Sequence, residues 1–188
     1  MSEVSEELQS SLDGFAWAKT EVLALTEGLR HEQFNQRPAE GQWSVGECLE
    51  HLYKTGHYLS IPMREAIEAG HTAGRYREGP FRYSYFGNWF AKVAGVQADP
   101  DKGKVKAPKL YVPQSNLDPA ETVQRFQDLQ DELSELTRKA QGLDLKRVKV
   151  TSPAFKLLRL SLGVWINMLP DHQRRHFDQA QRVREAIL

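Results

Sequence analysis

The sequence predicts an all-α protein, a four-helix bundle with a long crossover between its second and third helices. Three observations carry this reading. Four segments repeat apolar residues at helical spacing, capping signals mark where two of them begin, and nothing before or between them alternates apolar with polar residues for long. A chain of 188 residues suits one domain built on one core, and residues 1–188 are read as that domain.

The first helix is expected over roughly Glu6 to Leu29, where Leu8, Leu12, Phe15, Val22, Leu25 and Leu29 fall close to one face. The polar stretch "RHEQFNQRPAEGQ" then turns the chain. In "QWSVGECLEHL", Ser44 and Glu47 form a capping box and Trp43, just outside it, can staple onto the first turn. From Val45 the stripe runs through Cys48, Leu49, Leu52 and Leu59, with Gly70 as the expected stop.

Residues 71–117 read as the crossover, rich in Gly, Pro and aromatics and holding one short helix. Between Arg75 and Lys109 it carries eight Lys or Arg against three Asp or Glu. That basic stretch suits either an anionic cosubstrate or a solvated loop. Its aromatics, Phe81, Tyr83, Tyr85, Phe86, Trp89 and Phe90, are read as packing the loop onto the bundle. The third helix opens at "LDPAET", with Asp118 as cap, Pro119 at the first helical position and Glu121 three residues past the cap, and it is expected to end at Gly142. The fourth is expected from about Phe155 to Ile187, kinked by Pro170 just before His172. Two short connections and one long crossover make the second and third helices parallel.

Twenty-five Lys plus Arg balance twenty-five Asp plus Glu, so net charge gives no argument for nucleic acid, a membrane surface or a polyanion. The amino-terminal "MSEVSEELQS" is acidic where a signal peptide is basic then apolar, and the longest uncharged run, "LSLGVWINMLP", is too short to span a bilayer, so a cytoplasmic protein is expected. A single cysteine, Cys48, excludes an internal disulfide and fits a reducing compartment.

The chemistry lies in "LPDHQRRHFDQAQRV". At 100° per residue from Trp165, Leu158, Leu162, Leu169, Ala180, Val183 and Ile187 all fall within about 60° of one direction, and His172 and His176 fall at about 340° and 20°. Both imidazoles therefore point into the core about 6 Å apart along the axis. Burying two neutral rings requires partners for four nitrogens, whereas one divalent ion satisfies a nitrogen of each. A catalytic ion generally takes three protein ligands and keeps a position open. His31 and His71 lie at segment ends and are read as solvated, which leaves His51 and His57 on opposite flanks of the second helix's stripe. Angle favours His51 only slightly. His51 shares its flank with Cys48, Thr55 and Tyr58, and His57 lies nearer Tyr53 and Glu50.

"GQWSVGECLEHL" followed far downstream by "DHQRRHFDQAQRV" resembles the DinB/YfiT-like superfamily of small four-helix metalloproteins, over nearly the whole chain. The resemblance implies His51, His172 and His176 as metal ligands in an up-down-down-up bundle, homodimeric, holding zinc, nickel or another divalent ion. It also implies transfer of a low-molecular-weight, bacillithiol-like thiol to an electrophilic small molecule. The same ion with water as nucleophile gives a hydrolase, and a non-enzymatic metal- or ligand-binding bundle is a third reading.

Glu47, Cys48 and Tyr58 are weak catalytic candidates, since Glu47 has a complete structural role in the capping box and Cys48 suits a small core position. The pair reads H-Q-R-R-H, without the glutamate of an H-E-x-x-H protease, and neither histidine has a glutamate three residues before it, as a di-iron bundle needs. Walker, G-x-G-x-x-G and G-x-S-x-G motifs are absent.

Overall fold

The computed structural model describes residues 4–95 and 106–188. Helices α1 (Glu6–Thr26), α3 (Val45–Thr72), α5 (Pro119–Lys139) and α6 (Leu162–Ile187) form the bundle. Short helices α2 (His31–Asn35) and α4 (Tyr85–Ala94) and a 3-10 turn at Lys109–Tyr111 lie in the connections, and β1 (Lys149–Thr151) pairs antiparallel with β2 (Arg159–Ser161) before α6. Around the bundle the order is α1, α5, α3, α6, since α1 and α3 each pack against both α5 and α6.

Contacts give the directions. Along α3, Glu50, Ser60 and Arg64 meet Arg125 and Glu132 of α5 in the same order, so the two run parallel. Lys19 meets Asp131 while Ser5 meets Gln141, so α1 and α5 are antiparallel. Ser11 meets Asn167 and Glu27 meets Arg184, so α1 and α6 run together. The topology is up-down-down-up, as expected.

The capping expectations are met in detail. Ser44 Oγ accepts from the Glu47 amide at 3.1 Å while Glu47 Oε2 accepts from the Ser44 amide at 2.9 Å. Asp118 Oδ1 accepts from the Glu121 amide at 2.8 Å, with Pro119 at the first helical position. Several boundaries differ from the expectation. Helix α1 stops at Thr26 because Gly28 takes a left-handed φ of 74°. Gly70 does not stop α3. It lies inside the helix, where an added Cβ would sit 3.1 Å from Val148 and 3.3 Å from Leu143, so it is a point of close approach.

The fourth helix begins at Leu162, not Phe155. Residues 149–161 form a hairpin that places Val150 and Leu160 in the core and leaves Leu157 exposed at its turn. Its strands, three residues each, are too short for alternation to register against the helical pattern that follows. Helix α6 runs through Pro170 as one element. Pro170 packs on Gly14 of α1, where any Cβ would lie 2.6 Å from the proline ring. Of the crossover aromatics, Phe81, Tyr83 and Phe90 pack on the bundle as expected, while Tyr85, Phe86 and Trp89 are exposed.

The core divides into two apolar clusters. One gathers Phe15, Leu59, Met63, Leu129, Leu133 and Trp165, and the other Val22, Phe34, Leu49, Phe126, Phe177 and Val183. Where they meet, the buried residues are polar: His51 and Thr55 on α3, Gln130 on α5, Gln173 and His176 on α6. Gln173 donates to Gln130 Oε1 at 2.8 Å, tying α6 to α5 across that layer. Among the described residues no helix is long and apolar enough to cross a membrane.

Candidate metal centre

The polar layer contains the three histidines. His51 comes from the second turn of α3, placed by the capping box, and His172 and His176 come from successive turns of α6. Their donor atoms all lie within 4.8 Å of one another, and among the described residues no other group of metal-ligating side chains converges in this way. Nε2 of His51 and Nε2 of His172 are 3.3 Å apart. Two nitrogens bound to one tetrahedral ion at about 2.0–2.1 Å stand roughly 3.3 Å from each other, so this pair already has the spacing of two ligands.

The far side of each ring explains why Nε2 turns inward. Nδ1 of His51 lies 2.9 Å from the Tyr111 carbonyl, Nδ1 of His172 lies 2.9 Å from the Ala94 carbonyl, and Nδ1 of His176 lies 2.9 Å from Gln179 Oε1. A carbonyl oxygen only accepts, so each Nδ1 carries the proton. The neutral rings then present three bare Nε2 lone pairs to one another, with no hydrogen to place between them. A divalent cation fits this donor set, since each imidazole is in the tautomer a ligand needs and has its outer nitrogen fixed.

Protonation is disfavoured throughout. Burial, reinforced by the neighbouring His172, lowers the pKa of His51 to about 3. Burial also lowers His172, and it takes His176 well below the ordinary imidazole value, with His172 and His51 adding to the effect. His51 and His176 are buried and His172 is mostly buried. Trp43 packs against the cluster, its indole 4.8 Å from the His51 ring and 6.0 Å from that of His176.

The remaining candidates lie elsewhere. His57 stacks on Tyr53 at 5.4 Å and meets Tyr58 at 5.5 Å, so Tyr58 packs on the histidine outside the cluster. Glu47 completes its capping box and also accepts from Arg37 Nε at 2.8 Å, which commits the carboxylate. Cys48 is fully buried in the second apolar cluster, and burial, with the nearby Glu47 charge, pushes its thiol well above the usual range. His31 is exposed, as expected. His71 is engaged instead, its Nε2 2.7 Å from the Lys139 carbonyl at the end of α5.

Sequence reasoning missed Tyr111, Ala94 and Gln179 and read Trp43 as a staple alone. Two of these act through backbone carbonyls, which leave no trace in side-chain identity. Gln179 stands three residues after His176, a helical neighbour that spacing alone identifies. Of the basic crossover, Asp99, Asp101, Lys102 and Lys104 lie outside the described residues.

A four-helix bundle of up-down-down-up order with three imidazoles converging between α3 and α6 defines a class of small helical protein with a built nitrogen-donor site. The DinB superfamily model matches residues 15–180, and the chain belongs to that superfamily. It is 25% identical over 174 residues to YuaE, an uncharacterized protein of Bacillus subtilis (strain 168), spanning 92% of this chain and 96% of that one. Its fold is that of Bacillus subtilis YfiT, described as a probable metal-dependent hydrolase with an unusual four-helix bundle topology. The TM-score is 0.61 at 13% identity, over 97% of this chain and 89% of that one.

Metal content measured after loading with zinc or nickel should separate the histidines. His172→Ala or His176→Ala should abolish binding, His51→Ala should weaken it strongly, and His57→Ala should leave it intact; damage from His57→Ala would overturn the assignment on α3. Acid should also act through the cluster. An imidazole with a folded pKa below its unfolded value of about 6.5 binds fewer protons folded than unfolded, so its contribution is complete above pH 6.5 and is lost as pH falls from there toward the folded value. Urea unfolding in chelator should show wild type losing about 1–2 kcal/mol more than His51→Asn between pH 7 and pH 5. Equal losses would contradict the buried neutral ring.

Proposed function

We propose that the protein is a metal-dependent enzyme in which His51, His172 and His176 hold a divalent ion, zinc or nickel, that activates a small nucleophile from solution. The observation behind this reading is the convergence of three Nε2 atoms whose Nδ1 protons are already committed. When bound, such an ion supplies Lewis acidity, which brings water or a thiol to its deprotonated form near neutral pH.

The chain's own residues hold, orient and shield. Tyr111, Ala94 and Gln179 fix the rings, Trp43 packs beside His51 and His176, and His172, the least buried of the three, marks the side from which substrate would enter. The nucleophile comes from outside the chain, because the Cys48 thiol is buried and kept protonated and the Glu47 carboxylate is bound to Arg37 and Ser44.

Our leading reading is transfer of a low-molecular-weight, bacillithiol-like thiol onto an electrophilic small molecule. Support comes from the crossover, where Lys and Arg outnumber Asp and Glu between Arg75 and Lys109, a balance that suits a thiol carrying carboxylates. Hydrolysis is the second reading, favoured by the fold shared with YfiT, a probable metal-dependent hydrolase. Incubating the metal-loaded protein with a model electrophile, with and without bacillithiol, should give turnover that requires the thiol and is lost with His172→Ala. Equal turnover without thiol would remove the transferase reading and favour the hydrolase.

A further inference from the structure

Two points of the crossover are held on the histidine cluster by the same device, used twice. On α3, His51 donates to the Tyr111 carbonyl at 2.9 Å and Lys54, three residues on, donates to the next carbonyl, Val112, at 2.8 Å. On α6, His172 donates to the Ala94 carbonyl at 2.9 Å and Arg175, three residues on, donates to the adjacent carbonyl, Val93, at 3.0 Å. Each grip is therefore an imidazole and a cation one helical turn apart, closing on two successive carbonyls. The segments gripped are short: α4 ends at Ala94, and Tyr111 closes a single 3-10 turn.

We propose that Lys54 and Arg175 are positioning residues of the three-histidine site, holding Tyr111–Val112 and Val93–Ala94 on His51 and His172 so that metal affinity and docking of those two crossover segments rise together. The proposal rests on the reading of the cluster as a metal site. An imidazole that binds a cation through Nε2 becomes a stronger donor at Nδ1, and an acceptor on Nδ1 makes Nε2 a better ligand. The coupling is reciprocal, since whatever one event does to the other is returned by the same factor. Among the described residues neither cation meets a carboxylate at close range: Lys54 Nζ is 4.0 Å from Glu50, whose other oxygen is taken by Arg125. Arg175 donates to Val93 at the carboxyl end of α4, where a positive charge is also favoured by the helix dipole.

The sign of one substitution separates this role from plain electrostatics. The charge of Arg175 faces all three imidazoles and opposes a positive charge there. Removing it relieves repulsion and should tighten a dication if charge alone matters. Loss of the grip should loosen it.

Zinc affinity of the full chain, measured by competition with a chromogenic chelator, should fall about tenfold in Arg175→Met and in Lys54→Met. It should return in Arg175→Lys and Lys54→Arg, which keep a donor. Circular dichroism checks that each variant is folded. Hydrogen exchange on wild type, which needs no variant, should show the Gly95, Tyr111 and Val112 amides slowed about tenfold by saturating zinc. Unchanged or tighter zinc binding in folded Arg175→Met, or exchange at those amides indifferent to zinc, would overturn the proposal and leave the metal reading standing. Failure of wild type to bind zinc or nickel would overturn both.

Discussion

Three imidazole lone pairs facing one another inside a helical bundle are the constraint around which the structure is arranged. Each ring has its Nδ1 proton drawn outward, to Tyr111, Ala94 or Gln179, which forces the bare Nε2 inward. Without a cation such an arrangement gathers acceptors with nothing to accept, 3.3 Å apart for the closest pair. Burial prevents the rings from charging to relieve it. The polar layer interrupts a core that would otherwise run the length of the bundle, and leaves two apolar clusters, above and below, to supply the packing. Gln130 and Gln173 extend that layer to α5.

The helices that deliver the three histidines are specified locally. Ser44 and Glu47 set where α3 begins and hence the angle at which His51 leaves it, and the four-residue spacing on α6 puts His172 and His176 on one face by geometry alone. Those features were legible in the sequence because capping and helical period depend on near neighbours. The choice between His51 and His57 was not settled by angle, since both flank the same stripe; tertiary packing decides it, sending His57 between Tyr53 and Tyr58. The hairpin before α6 was hidden because three-residue strands give too little alternation. The Nδ1 acceptors on Tyr111 and Ala94 were hidden because any residue type supplies a carbonyl, and only the path of the crossover brings these two to the rings.

Pro170 illustrates a compensation that sequence alone does not show. A proline two residues before His172 suggests a disturbed helix, yet α6 continues through it and the ring is received by Gly14 of α1, the one residue type that leaves room. Cys48 and Glu47 show the converse. Both stand within four residues of His51 and carry reactive groups, but one is enclosed in the apolar cluster and the other is consumed by its cap and by Arg37. Proximity along the chain is therefore a poor guide to chemistry when burial and prior hydrogen bonds have already decided a side chain's role.

The tautomers are the most direct point of contact with experiment. Long-range proton–nitrogen correlation spectra of the metal-free protein at neutral pH should show His51, His172 and His176 protonated on Nδ1 and bare on Nε2, and one equivalent of zinc should shift all three Nε2 resonances together. A ring protonated on Nε2, a charged imidazolium among the three, or an Nε2 resonance unmoved by zinc would contradict the account.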